Sequence, residues 1–200
     1  LDFVCHEEIP ELSKNKGELI KELIHDINTA GILKRKYQYL FNDSPVEQSA
    51  GHLFRRSEKS FKKLSDALIK AIEKYFLRYK DVENEFILSF PKKINFISAW
   101  YIKMQSSGHL TAHIHEDGWI SGAVYLKIPK NSGSEDYEGA IELSADGDNY
   151  PRLHEEFKRL TIIPKAGEVI FFPSSVFHRT IPFNSEEERI CIAFDVKPGF

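Results

Sequence analysis

At Ile94 the chain changes texture, and that change constrains its fold more than any other feature. From there on, short stretches rich in β-branched and aromatic residues are broken by Gly, Pro, Asn and Ser. They fall at 94–104, 109–115, 120–128, 138–143, 160–163, 168–172, 176–182 and 189–196. Such side chains fit a pleated, half-buried surface, and the frequent turn residues mark where the strands end. A series of this kind predicts a jelly roll. Before Ile94 the period is helical. Phe61, Leu64, Leu68, Ala71, Ile72 and Tyr75 recur on one face of a helix predicted over 58–77, with lysines opposite. Leu19, Ile20, Leu23, Ile24 and Ile27 mark an earlier helix over 18–30, stopped at Gly31. Helices followed by strands, rather than alternating with them, predict an α+β fold: a jelly roll with N-terminal helices packed on one sheet. One domain is expected over 1–200, with 1–93 as mainly helical support and 94–200 as the jelly-roll core.

A chain of 200 residues with 42% hydrophobic content can bury a full core without disulfides or a structural metal. A net charge of -3, with no basic run beyond short pieces such as Lys34-Arg35-Lys36, argues against nucleic acid as a partner. No apolar stretch reaches the roughly 18 residues of a bilayer-spanning helix, and no charged-then-apolar leader is visible, so no membrane partner is expected. Cys5 and Cys191 sit near opposite ends without CxxC spacing, which disfavours a disulfide framework or a cysteine zinc site and fits a reducing cytoplasm. The first residue, Leu1, is not methionine, so the chain is expected to be trimmed or to be one domain of a longer polypeptide.

The chemistry concentrates in His113-Ile114-His115-Glu116-Asp117 and, farther on, His178. Alternate residues of a strand share a face, so His113, His115 and Asp117 can converge on one point, with His178 approaching from another strand. Histidines with a carboxylate and no thiolate make a nitrogen and oxygen site that suits Fe(II), with zinc or manganese as competitors. His178 follows the apolar run Val169 to Phe172, ended by Pro173, and is placed to face a cavity. Arg189 opens the last strand; its forked guanidinium can clamp a carboxylate or pair with Glu186 to Glu188 on the surface. His6, His25, His52 and His154 read as surface or satisfied core histidines.

Several separated blocks, in order, resemble the Fe(II) and 2-oxoglutarate dependent oxygenases, particularly a bacterial subfamily often attached to tetratricopeptide repeats. The blocks are Trp100-Tyr101-Ile102, Gly108 to His115, Gly118 to Leu126, Pro164 to Ser174, His178 to Phe183 and Arg189 to Asp195. The resemblance implies a double-stranded β-helix binding Fe(II) and 2-oxoglutarate, using O2 to hydroxylate a C-H bond of a small-molecule or protein substrate, with release of succinate and CO2. It implies His178 as the distal iron ligand and Arg189 as the residue binding the far carboxylate of 2-oxoglutarate. Tyr125 is the matching position for a hydrogen bond to that carboxylate, and Tyr101 is a second candidate. The subfamily shows H-x-H, here His113 and His115, where the wider superfamily shows H-x-D, here His115 and Asp117. Cys191 stands where relatives often carry serine, and a thiol is the poorer donor. A three-histidine site also serves cupin-like metalloenzymes of other reaction classes, and a jelly roll can be a non-catalytic binding module. His109, Trp119 and Tyr150 are candidates for lining a substrate pocket.

Overall fold

The two longer helices form where apolar spacing predicts them, and each buries that apolar face. In the computed structural model, which describes residues 1–35, 45–130, 137–148, 150–152 and 155–197, the chain opens with β1 (Cys5–Glu8), α1 (Pro10–Ser13) and α2 (Glu18–Thr29). After β2 (Val46–Gln48) come the long α3 (Lys59–Tyr79) and the short α4 (Glu85–Leu88). The remaining strands are β3 (Phe96–Met104), β4 (Ile120–Lys127), β5 (Ile141–Ser144), β6 (Arg159–Ile162), β7 (Glu168–Pro173), β8 (Phe177–Thr180) and β9 (Arg189–Val196). Along α3, Phe61, Leu64, Leu68, Ile72 and Tyr75 are fully buried. Each side chain of that size contributes about 1.5–3 kcal/mol when removed from water. No helix among the described residues is long and apolar enough to cross a membrane.

Two antiparallel sheets make the β-helix. The larger has the order β1-β7-β4-β9-β3-β2 and the smaller β6-β5-β8. Alternation along the strands gives the larger sheet two different faces. On β9, Ile190, Ile192, Phe194 and Val196 pack into the core shared with the helices, whereas Cys191 and Ala193 join a second core between the sheets. Gly122 on β4 allows the helix-side face to close: a Cβ there would lie 2.5 Å from Cζ of Phe194 and 2.9 Å from the carbonyl oxygen of Ile170.

The architecture agrees with the expected double-stranded β-helix, with corrections in detail. The segment 109–115, expected as a strand, is extended chain joined to β8 by one bridge. His113 and His178 exchange backbone hydrogen bonds of 3.1 and 3.0 Å, and Thr180 donates to the carbonyl of Leu110. His115 then donates its backbone N–H to Ser174 instead, which ends the pairing with β8. Strands β1 and β2 lie in the half that reads as helical; they pair with β7 and β3 and form the two edges of the larger sheet. The polar stretch 130–138, which reads in sequence as a surface loop, lies mostly outside the described residues.

Candidate active site

Three imidazoles meet between the sheets. His113 and His115 come from the extended segment and His178 from β8, with ring centroids 5.4 Å (His113 to His115), 4.2 Å (His113 to His178) and 4.9 Å (His115 to His178) apart. Each offers a ring nitrogen within 4.8 Å of the other two. The second ring nitrogen of each is already engaged. Nδ1–H of His113 donates to the Thr111 carbonyl at 2.7 Å, and that of His178 to the Val176 carbonyl at 3.3 Å. Nδ1–H of His115 donates to the Asp195 carboxylate at 2.6 Å. With every Nδ1 holding a proton, the three Nε2 lone pairs remain for a cation, the usual arrangement of metal-binding histidines. Burial holds the His113 imidazole down to about 4 and that of His178 well below its ordinary value, so both are neutral and able to ligate at neutral pH.

Asp195 is itself held by strand neighbours: Oδ1 also accepts from Ser121 at 2.6 Å, and Oδ2 accepts from Ser98 at 2.6 Å. Burial pushes its carboxyl up, but the hydrogen bonds from His115, Ser121 and Ser98 outweigh that and keep it below the usual carboxylate range. Sequence reading assigned Asp195 no role. The signal was available, since residues 189, 191, 193 and 195 share one face of β9.

The histidines open into a cavity of about 740 Å³. At one end lies Arg189, 2% exposed, with its guanidinium 5.0 Å over the ring of Tyr125. Nε donates to the Gly139 carbonyl at 3.1 Å, but Nη1 meets only the sulfurs of Met104 and Cys191, each at 3.7 Å. No carboxylate pairs with Arg189 among the described residues, so the alternative, a surface pairing with Glu186 to Glu188, is not formed. The Tyr125 hydroxyl is buried without a hydrogen-bond partner, and burial pushes it well above the ordinary tyrosine range. A buried cation beside a buried, unused hydroxyl leaves several donors without an acceptor, which is costly unless an anion sits there.

Residues 98–195 match the model of a family described as "Putative 2OG-Fe(II) oxygenase", 2OG being 2-oxoglutarate. Residues 98–195, the β-helix part of the chain, belong to the 2OG-Fe(II) oxygenase superfamily. Comparison with curated protein sequences finds no significant match. Solved structures of 2OG oxygenases share the fold. A Pseudomonas putida prolyl-4-hydroxylase is 14% identical with a TM-score of 0.58, covering 98% of this chain and 93% of its own. HygX from Streptomyces hygroscopicus, solved with nickel, 2-oxoglutarate and hygromycin B, is 14% identical with a TM-score of 0.62, covering 100% and 85%. A Trichoplax adhaerens prolyl hydroxylase, solved with a hypoxia inducible factor peptide fragment, is 15% identical with a TM-score of 0.63, covering 98% and 83%.

The superfamily's cofactors are Fe(II) and 2-oxoglutarate, and the residues present fit both. Three convergent imidazoles suit a divalent transition metal, and the donors of Arg189 and Tyr125 suit a carboxylate. Other expected residues fall elsewhere. Asp117 lines the cavity but is not part of the histidine group. Tyr101 turns to the helix side, where its hydroxyl donates to Glu47 at 2.8 Å, and the adjacent Trp100 takes the cavity side. Of the candidate lining residues Tyr150 reaches the cavity, whereas Trp119 stacks on Phe86 and His109 bonds the carbonyl of Ser107. His6 and His52 pair with Glu168 and the Phe96 carbonyl, His25 is exposed, and His154 lies outside the described residues.

Proposed function

We propose that this oxygenase hydroxylates a C-H bond of its substrate, with His113, His115 and His178 holding Fe(II) and with Arg189 and Tyr125 binding the far carboxylate of 2-oxoglutarate. The observation that carries the reading is the pairing, in one cavity, of three convergent ring nitrogens with a buried Arg189 that has no acid partner among the described residues. Iron supplied with 2-oxoglutarate and O2 provides the chemistry: the cosubstrate is oxidised to succinate and CO2, and one oxygen atom is inserted into the C-H bond.

The protein's part is positional. Thr111, Val176 and Asp195 orient the three imidazoles, and Asp195 adds a negative charge behind His115. Arg189 can present two parallel N–H groups to a carboxylate, and the ring of Tyr125 beneath it fixes the plane of that fork. Leu110, Ile141, Phe172 and Met104 give the cavity apolar walls that exclude water from the reacting centre. Cys191 occupies the wall beside Arg189 and adds only a weak donor. In this reading Tyr101 has no role and His113, rather than Asp117, completes the ligand set.

The whole chain is read as one functional unit, the helical first half supporting the β-helix, in a reducing compartment such as the cytoplasm. The buried free cysteines Cys5 and Cys191 support that assignment. The test is succinate formation from 2-oxoglutarate by iron-loaded protein under oxygen. The wild type is expected to form succinate and His178→Ala to form none. Iron-loaded wild type that makes no succinate would overturn the proposal.

A further inference from the structure

The cavity extends beyond the histidines in a direction that the cosubstrate does not need. Trp100, Ile102 and Met104 of β3 line it, and the edge strand β2 continues that wall outward through Gln48, which stands opposite Ile102. Its neighbour Glu47 faces the other way and is fully engaged by Tyr101 and Lys34. Gln48 is 6% exposed, and its side-chain amide has no hydrogen-bond partner among the described residues. The amide opens to the cavity, where water or a ligand can pair it.

The same wall carries Trp100, whose ring centroid is 5.4 Å from that of His115. The Arg35 guanidinium lies 5.9 Å over the Trp100 ring, and the Arg35 backbone N–H donates to the Gln48 carbonyl at 2.9 Å. A primary amide presents a donor and an acceptor side by side in one plane. A trans peptide bond cannot use both, because its N–H and C=O point to opposite edges. The α-carbon of a free amino acid can: its carboxylate accepts from Nε2 of Gln48 and its ammonium donates to Oε1. Arg35 adds positive charge on the same wall.

The geometry points to Gln48 as the anchor for the α-amino and α-carboxylate groups of a free amino-acid substrate, whose side chain runs over Trp100 toward the histidines. This rests on the oxygenase reading of the same cavity. Gln48, Ile102 and Cys191 lie in one row across β2, β3 and β9, so the anchor is two strand spacings, roughly 10 Å, from the Cys191 wall beside Arg189. Substrate and cosubstrate therefore do not compete for one place.

The test titrates the full chain, loaded with Zn(II) and 2-oxoglutarate, with each proteinogenic L-amino acid and with its N-acetyl and carboxamide derivatives. Calorimetry and the thermal midpoint report binding without turnover. At least one free amino acid is expected to bind, with affinity reduced about tenfold or more in its blocked forms and in Gln48→Leu. Gln48→Leu must still be stabilised by 2-oxoglutarate as the wild type is, which separates a lost anchor from misfolding. The assignment is overturned if no amino acid binds the wild type, if the blocked forms bind equally, or if Gln48→Leu binds unchanged. Failure of 2-oxoglutarate itself to stabilise the wild type would count against the oxygenase reading, and the amino-acid titration would still decide this one.

Discussion

Asp195 accepts hydrogen bonds from two strands and the histidine segment, through Ser121, Ser98 and His115, and so couples the metal-binding imidazole to the rigid part of the sheet. Asp195→Asn keeps the shape but removes the charge and forces an N–H toward one of those donors. It is expected to weaken Zn(II) binding about 10- to 100-fold in equilibrium dialysis, and an unchanged affinity would reduce Asp195 to packing. Alternation along β9 makes its direction legible from Arg189 onward, but its partners sit on β3, on β4 and in the histidine segment, which local sequence cannot bring together. His113 has a consequence for pH. Burial holds it at about 4 in the folded protein, against 6.5 as the ordinary value, so between those limits the unfolded chain binds more protons than the folded one. Stability of the metal-free protein is therefore expected to fall as pH drops from about 6.5 toward 4, with a shallower slope in His113→Gln. Thermal midpoints across that range check it, and equal slopes would contradict it.

At the scale of elements, strands β3, β4, β7 and β9 were readable because their β-branched and aromatic runs are long enough to show a pattern. Strands β1 and β2 were not, since Cys5–Glu8 and Val46–Gln48 are too short and polar to carry a period and gain strand structure only from pairing with β7 and β3. The face taken by Tyr101 was equally hidden. Trp100 and Tyr101 are adjacent aromatics, and a one-residue choice of register, made beside an irregularity between Phe96 and Ser98, sends one to the cavity and the other to the helices. The packing of β4 on β9 has its own test. Gly122→Ala would drive a methyl group into Phe194 and the Ile170 carbonyl and is expected to cost about 1–3 kcal/mol in denaturant unfolding. An unchanged midpoint would show that the sheet yields there.

For the molecule as a whole, the larger sheet separates two jobs. One face holds the helices through an apolar core, and the other holds the cavity with its histidines, Arg189 and Tyr125. Leu68→Ala, in the fully buried helix core, is expected to cost about 2–5 kcal/mol of stability while leaving metal affinity at wild-type level below the lowered midpoint. A matching loss of affinity would show that the layers are coupled. Arg189→Ala is expected to do the reverse, raising the 2-oxoglutarate requirement for succinate formation; an unchanged requirement would remove Arg189 from its role. The central claim is that one cavity holds Fe(II) on three histidines and 2-oxoglutarate beside it. Anaerobic titration of the iron-loaded chain with 2-oxoglutarate measures this directly. A visible charge-transfer band that saturates with the cosubstrate and is lost in His178→Ala is the expected result, and iron-loaded wild type without such a band would contradict it.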